Sequence, residues 1–329
     1  MRRLPVLILV TALLLLAGCG KDNSAGKLAA VGPFTFPTVS SDQVGVEPTI
    51  VSNSDPPETT QTKVLHQGTG KPVAKDDMLV VDVKGQVWDT RGVPLPAFVD
   101  TFTKKQMLIR PVNSVVPAWT KALPGVKVGS RVLIVAPPAD GFGDQGNSSV
   151  GIEPGDALMF VIDIVDAVSP DTAANGAVVK VAADAKLPTV TAGKDPKVTV
   201  PSGTAPTDLV VRQLQQGTGA TIAKGQTILA EYVGVLWRTG KVFDSSWGVG
   251  RQPFAVRIAV ESPNSPDSGV IEGWVKALVG QKVGSRLLVV VPPKYGYGKE
   301  GLADAGITPT DTLVFVIDAL GVYGNATTA

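Results

Sequence analysis

Val270-Ile271-Glu272-Gly273-Trp274-Val275-Lys276-Ala277-Leu278 is the stretch on which the fold turns. Ile271, Trp274, Val275 and Leu278 recur at the spacing of one helix face, and Gly280 closes the run. No other segment has so clear a helical period, and its neighbours read as strands. Upstream, Ile228 to Trp237 alternates, with Ile228, Ala230, Tyr232 and Leu236 on one face and Glu231 on the other. Downstream, Leu287 to Val291 and Thr312 to Leu320 are continuous apolar runs, the first stopped by Pro292-Pro293. Such runs mark central strands covered on both faces. One short helix beside about five strands predicts an α+β domain, an antiparallel sheet with the helix against its face.

The pattern occurs twice. His66-Gln67-Gly68-Thr69-Gly70 answers Gln215-Gln216-Gly217-Thr218-Gly219, Val128-Gly129-Ser130-Arg131 answers Val283-Gly284-Ser285-Arg286, and Phe160-Val161-Ile162-Asp163 answers Phe315-Val316-Ile317-Asp318. The copies are collinear and their offset grows along the chain, so this is a duplicated domain with altered loops and not a solenoid. The division expected is 47–168 for the first domain and 196–323 for the second. Residues 20–46 and 169–195, rich in Ala, Gly, Pro, Ser, Thr and Asp without period, read as a flexible tether and a linker.

Six motifs of the second copy then resemble, in order, the signature of the FKBP-type peptidyl-prolyl cis-trans isomerases. They are Tyr232-Val233-Gly234, Gly240-Lys241-Val242-Phe243-Asp244-Ser245-Ser246, Pro253-Phe254, Val270-Ile271-Glu272-Gly273-Trp274, Pro293-Lys294-Tyr295-Gly296-Tyr297-Gly298 and Leu313-Val314-Phe315. The resemblance implies two FKBP-like domains, each a curved antiparallel five-stranded sheet wrapped on one short helix, with the substrate proline in the gap between them. It implies Trp274 as the floor of that gap and Tyr232, Phe254 and Phe315 as walls. Val270 and Ile271 line the start of the helix, the Ile271 N–H donating to the substrate carbonyl. Phe243 flanks the pocket, Asp244 sets a carboxylate beside the twisting amide, Tyr297 offers a hydroxyl and Ile307 closes the side.

Singly, Trp274, Phe254 and Phe315 are equally explained as core of a small β domain. Phe243-Asp244 is harder to explain by packing, since an acid directly follows an aromatic and precedes Ser245-Ser246. The resemblance implies no cofactor and no metal; its partners are proline-containing polypeptides and the macrolide ligands of the family. Rotation about X–Pro needs neither nucleophile nor metal, because the obstacle is amide resonance worth roughly 18–20 kcal/mol. The segment Glu261 to Gly269 reads as an insertion before the helix, and Gly298 to Pro309 as a lengthened loop. Residues 196–323 hold no histidine, so no ordinary side chain there titrates near neutrality.

The first copy looks worn. In sequence register Val83 stands for Tyr232, Val99 for Phe243, Met107 for Phe254 and Phe142 for Tyr297, while Asp100, Val115, Val116, Trp119, Ile152 and Phe160 match. Two roles stay open for it, a spacer and a substrate-holding module with little isomerase activity.

At the N-terminus, Arg2-Arg3 precede the apolar run Leu4 to Leu16, which closes on Leu16-Ala17-Gly18-Cys19. The run is too short to span a bilayer and reads as a secretory signal, 1–19, ending in a lipobox. Cys19 is then the lipidation site, and the protein is an extracytoplasmic lipoprotein anchored to the cell membrane; the alternative is an uncleaved anchor. Cys19 is the single cysteine and His66 the single histidine, so the common nucleophile-base pairs of hydrolases cannot be assembled. With 30 Lys+Arg against 29 Asp+Glu, nucleic acid is not an expected partner. The functional expectation is a peptidyl-prolyl isomerase assisting the folding of extracytoplasmic proteins, active mainly in the second domain. The alternative is a non-catalytic peptide-binding or scaffold lipoprotein.

Overall fold

The computed structural model describes residues 32–180, 182–248, 250–260 and 269–326. The signal segment with Cys19, the tether up to residue 31 and the insertion up to residue 268 lie outside them.

In the first domain the chain forms β1 (Gln61–His66), β2 (Met78–Val87), β3 (Val99–Asp100), α1 (Thr101–Lys104), β4 (Leu108–Pro111), α2 (Pro117–Ala122), β5 (Arg131–Ala136) and β6 (Leu158–Val168). The sheet order is β1-β5-β6-β2-β3, with β4 also on β2, all antiparallel. The second domain repeats this with β7 (Ala177–Val178), β8 (Val210–Gln216), β9 (Thr227–Leu236), β10 (Val242–Ser245), β11 (Phe254–Arg257), α3 (Glu272–Leu278), β12 (Arg286–Val291) and β13 (Leu313–Tyr323). Its order is β10-β9-β13-β12-β8-β7, with β11 also on β9. The sheets therefore have six and seven strands where five were expected. The position beside β2 or β9 is broken in two, because the chain leaves the sheet after β3 or β10 and rejoins it as β4 or β11. The seventh strand, β7, comes from the supposed linker.

Each helix packs on one face of its sheet. Trp119 and Leu123 join Val81, Val83, Ile134, Phe160 and Ile162 in the first core, and Trp274 and Leu278 join Ala230, Val289, Phe315 and Ile317 in the second. Pro117 occupies the first turn of α2, where its missing N–H has no partner to lose.

The opposite sheet faces are also covered, by the segments whose composition suggested free linkers. Phe34 and Val39 pack with Ile50 on Leu133, Val135, Met159 and Val161; Leu187 and Val190 pack on Leu288, Val290, Val314 and Val316. These segments are further held by a buried ion pair repeated in both domains. Arg131 grips Asp163 through two bonds of 2.6 and 2.8 Å and donates to the Ser41 and Val46 carbonyls, while the Gly45 N–H donates to Asp163. Arg286 grips Asp318 at 2.6 and 2.7 Å and donates to the Gly193 carbonyl, while the Ala174 N–H donates to Asp318. Residues 32–46 and 169–195 are thus not free of the domains they precede.

The two domains share an apolar seam. Met78, Val80, Ile109 and Val168 from the first are buried with Leu229 from the second, flanked by Ala255, Leu320 and Tyr323. The Tyr323 hydroxyl crosses the seam to donate to Asp166 at 2.8 Å; burial first, then this carboxylate, push the phenol strongly up.

Candidate active site

The second-domain cleft is built on β9, β10, β11, α3 and β13. Strand alternation turns Tyr232 toward α3 and Glu231 away. Trp274 is 4% exposed and takes edge contacts from three rings: Tyr232 at 5.2 Å between centroids, Phe315 at 5.4 Å and Phe254 at 6.4 Å. Phe243 stands edge-on to Phe315 at 5.7 Å, its ring lying over Gly234, where a Cβ would collide with it at 2.5 Å. Val270, Ile271 and Ile307 are buried in the same cluster, with Tyr297 half-buried against it, whereas Phe254 is exposed at the rim. The structure thus gathers all ten residues expected from the sequence around one cleft, Asp244 entering through its bond to Tyr232. Ile271 caps α3 with φ −54° and ψ 147°, and among the described residues its N–H meets no acceptor.

The polar edge of the cleft is one side-chain pair. The Tyr232 hydroxyl donates to Asp244 Oδ2 in a short bond, and Asp244 Oδ1 accepts from the Ser245 N–H at 2.8 Å and faces Arg251 at 3.8 Å. Burial and then the Asp244 carboxylate hold the Tyr232 phenol well above its ordinary value, so the hydroxyl keeps its proton.

Behind Tyr232 lies a group that the sequence reading passed over. The Tyr232 N–H donates to Ser246 Oγ at 2.7 Å, and that hydroxyl donates to the buried Glu231 carboxylate. Burial pushes Glu231 up to about 7, Asp318 reinforcing the rise and the Ser246 hydroxyl opposing it. The expectation that nothing titrates near neutrality in this domain is therefore corrected. Its signal was visible as Glu231 amid the apolar strand 228–237, a carboxylate that must be buried if both faces are covered.

The family described as FKBP-type peptidyl-prolyl cis-trans isomerase matches residues 69–165 and again 219–320. The chain belongs to this family. An FK506-binding protein of Streptomyces anulatus is 35% identical over 127 residues, covering 39% of this chain and 96% of that protein. A probable FK506-binding protein of Corynebacterium glutamicum is 37% identical over 125 residues, covering 38% and 96%. Among solved structures, the three FKBP domains of wheat FKBP73 align at 21% identity over 80% of this chain and 94% of that one, with a TM-score of 0.32.

Apart from β7, the two FKBP repeats match strand for strand in their hydrogen-bond registers, and this corrects three correspondences. Gly85 and Gly234 are equivalent, each opposite the phenylalanine of the last strand, Phe160 or Phe315. Phe98, not Val99, occupies the place of Phe243: its ring lies over Gly85 and meets Phe160 edge-on at 5.7 Å and 86°, the same values as Phe243 against Phe315. The Val83 N–H donates to Thr101 Oγ1 at 2.8 Å as Tyr232 does to Ser246, so Asp100 answers Ser245 and Val99 answers Asp244. Asp100 instead caps α1, accepting from the Thr103 N–H. Leu108, not Met107, answers Phe254, since it pairs with Val81 as Phe254 pairs with Ala230.

The first cleft therefore keeps its floor and Phe98, and lacks both members of the polar pair, Tyr232 and Asp244 being replaced by Val83 and Val99. It remains open as an apolar cavity of about 590 Å³ lined by Phe98, Val99, Leu108, Trp119, Phe142 and Phe160.

Proposed function

We propose that the isomerase acts mainly through its second domain, on X–Pro bonds of extracytoplasmic polypeptides. The observation that carries this reading is the Tyr232–Asp244 pair at the edge of the Trp274 cleft, set against Val83 and Val99 in the first domain. A proline ring on Trp274 between Tyr232, Phe254 and Phe315 would be surrounded by ring edges, with Ile271 N–H able to hold the flanking carbonyl. The twisted amide has lost resonance and charge separation, so an apolar enclosure penalises it less than the planar amide. The pair then presents a fixed dipole to the rotating carbonyl with no proton transferred. Macrolides of the kind named for the Streptomyces relative would compete for the same cleft.

The test is a protease-coupled assay of the full chain on a short X–Pro peptide. Acceleration that falls ten- to a hundredfold in Asp244→Val supports the reading; acceleration untouched by that change, or none in the unaltered chain, overturns it.

The N-terminal run ending at Cys19 supports an envelope address, with the acylated cysteine holding the tandem domains at the membrane. Cys19→Ala should leave a heavier precursor in expressing cells. An unchanged mature mass and unchanged membrane partition would refute the lipid anchor.

A further inference from the structure

Between the two clefts runs a groove that the isomerase reaction on a short peptide does not use. Two adjoining cavities, of about 200 and 480 Å³, form it, sharing Gln106, Met107, Ile109, Thr227 and Arg257 as walls. Its sides are the broken edge strands of the two domains, β4 on one and β11 on the other. Leu108, a wall of the first cleft, and Phe254, a wall of the second, both line it. The groove thus meets one wall residue of each cleft.

Its charge is one-sided. Lys104, Lys105, Arg110 and Arg257 line it, and among the described residues no carboxylate does. On a chain whose formal net charge is only +1, four cations without an acid in one groove are a local excess and not a reflection of composition. All four are exposed, so their attraction for an anion is screened by salt. The seam beneath, closed by Leu229, Ile109 and the Tyr323–Asp166 bond, fixes the groove's floor.

We propose that this groove carries one extended client polypeptide across both domains, its acidic residues over the four cations and an apolar or proline-bearing segment in each cleft. The first domain is then a holding site, and the client's second contact is intramolecular once the first has formed. Such coupling raises affinity without adding contacts at the catalytic cleft. This rests on the proposed function, since it takes the second cleft as the place of turnover.

The experiment uses the full chain and synthetic peptides bearing two Ala-Leu-Pro-Phe segments joined by spacers of graded length, made of Glu and Ser or of Lys and Ser. The expected result is that, at low salt and one optimal length, the Glu-spacer peptide binds about tenfold more tightly than the Lys-spacer peptide. That advantage should shrink in high salt and vanish in Lys104→Glu/Arg110→Glu, while an unchanged thermal transition shows that the variant is folded. Equal affinity for the two spacers, or an advantage that survives in the double variant, overturns the proposal. Vesicles of phosphatidylglycerol that bind in a groove-dependent way, with no spacer preference among peptides, overturn it in favour of a lipid surface. Comparing spacers on the unaltered chain needs no variant, and a lack of turnover on the short peptide indicts the proposed function instead of the groove.

Discussion

The two clefts differ less in their frame than in a few side chains. Both keep a tryptophan under a phenylalanine at right angles, Trp119 with Phe160 at 5.6 Å and Trp274 with Phe315 at 5.4 Å, and both keep the flanking ring over a glycine. Besides Leu108 for Phe254 and Phe142 for Tyr297, what separates them is that Val83 and Val99 stand where Tyr232 and Asp244 bond to each other. A lone tyrosine in that place would leave a half-buried hydroxyl without its partner, costing about 1–3 kcal/mol. The first cleft thus carries neither half of that pair at its edge.

The largest expected effect is the conversion of one cleft into the other. Tyr232→Val/Asp244→Val should lower kcat/KM of the full chain on a short peptide by about a hundredfold, near 2.8 kcal/mol of transition-state stabilisation. Each single change should cost nearly as much as the double, since each strands the other member. Losses that simply add would show the pair to be two independent contributors. Phe243→Ala, which opens one wall, should cost about tenfold, measured in the same assay on protein with an intact thermal transition.

The reverse swap sharpens the comparison. Val83→Tyr/Val99→Asp, placed in the inactive Tyr232→Val/Asp244→Val chain, should restore measurable turnover, at least threefold above that background. No recovery would mean that Leu108 in place of Phe254, or Phe142 in place of Tyr297, matters more than the polar pair. At the small end, Phe98→Ala and Val99→Ala should change the short-peptide rate of the unaltered chain by less than twofold. A tenfold fall would make both clefts catalytic.

Acidity acts on the domains through stability. Glu231 is held at about 7 against an ordinary 4.5, so the folded second domain binds a proton that the unfolded chain releases. The associated stability is fully present below about pH 4.5 and is lost as pH rises through 7, about 3 kcal/mol for that interval. Asp82, its counterpart beneath the first cleft, is also raised by burial, with Thr101 donating to it. The thermal midpoint should therefore fall by several degrees between pH 5 and 8, and Glu231→Gln should flatten that fall. An equally steep fall in the variant would move its origin elsewhere.

Much of this was legible in the chain. The helix at 270–278 and the strands at 228–237, 287–291 and 312–320 announce themselves because their periods are local. The ten residues expected at the cleft lie together because the motif set fixes them in one register. The first-domain register was not legible: Phe98-Val99-Asp100 and Phe243-Asp244-Ser245 align on their acids as readily as on their rings, and only hydrogen bonding to Val83 and Tyr232 decides between them. The segments before each domain misled for another reason. Their strands, such as β7, are two residues long and cannot show a period, while their anchors are a few isolated apolar side chains such as Phe34 and Leu187 and backbone atoms held by Arg131 and Arg286.

Those arginine grips also set an order of assembly. The carboxylates that complete them, Asp163 and Asp318, sit on the final strand of each domain, whereas the backbone they capture, Gly45 and Ala174, lies 118 and 144 positions earlier. A chain delivered from its N-terminus thus presents each opening segment long before the strand that latches it exists. Closing contacts so distant in sequence is slow compared with forming local ones. Each domain must therefore be almost wholly delivered before this latch can close.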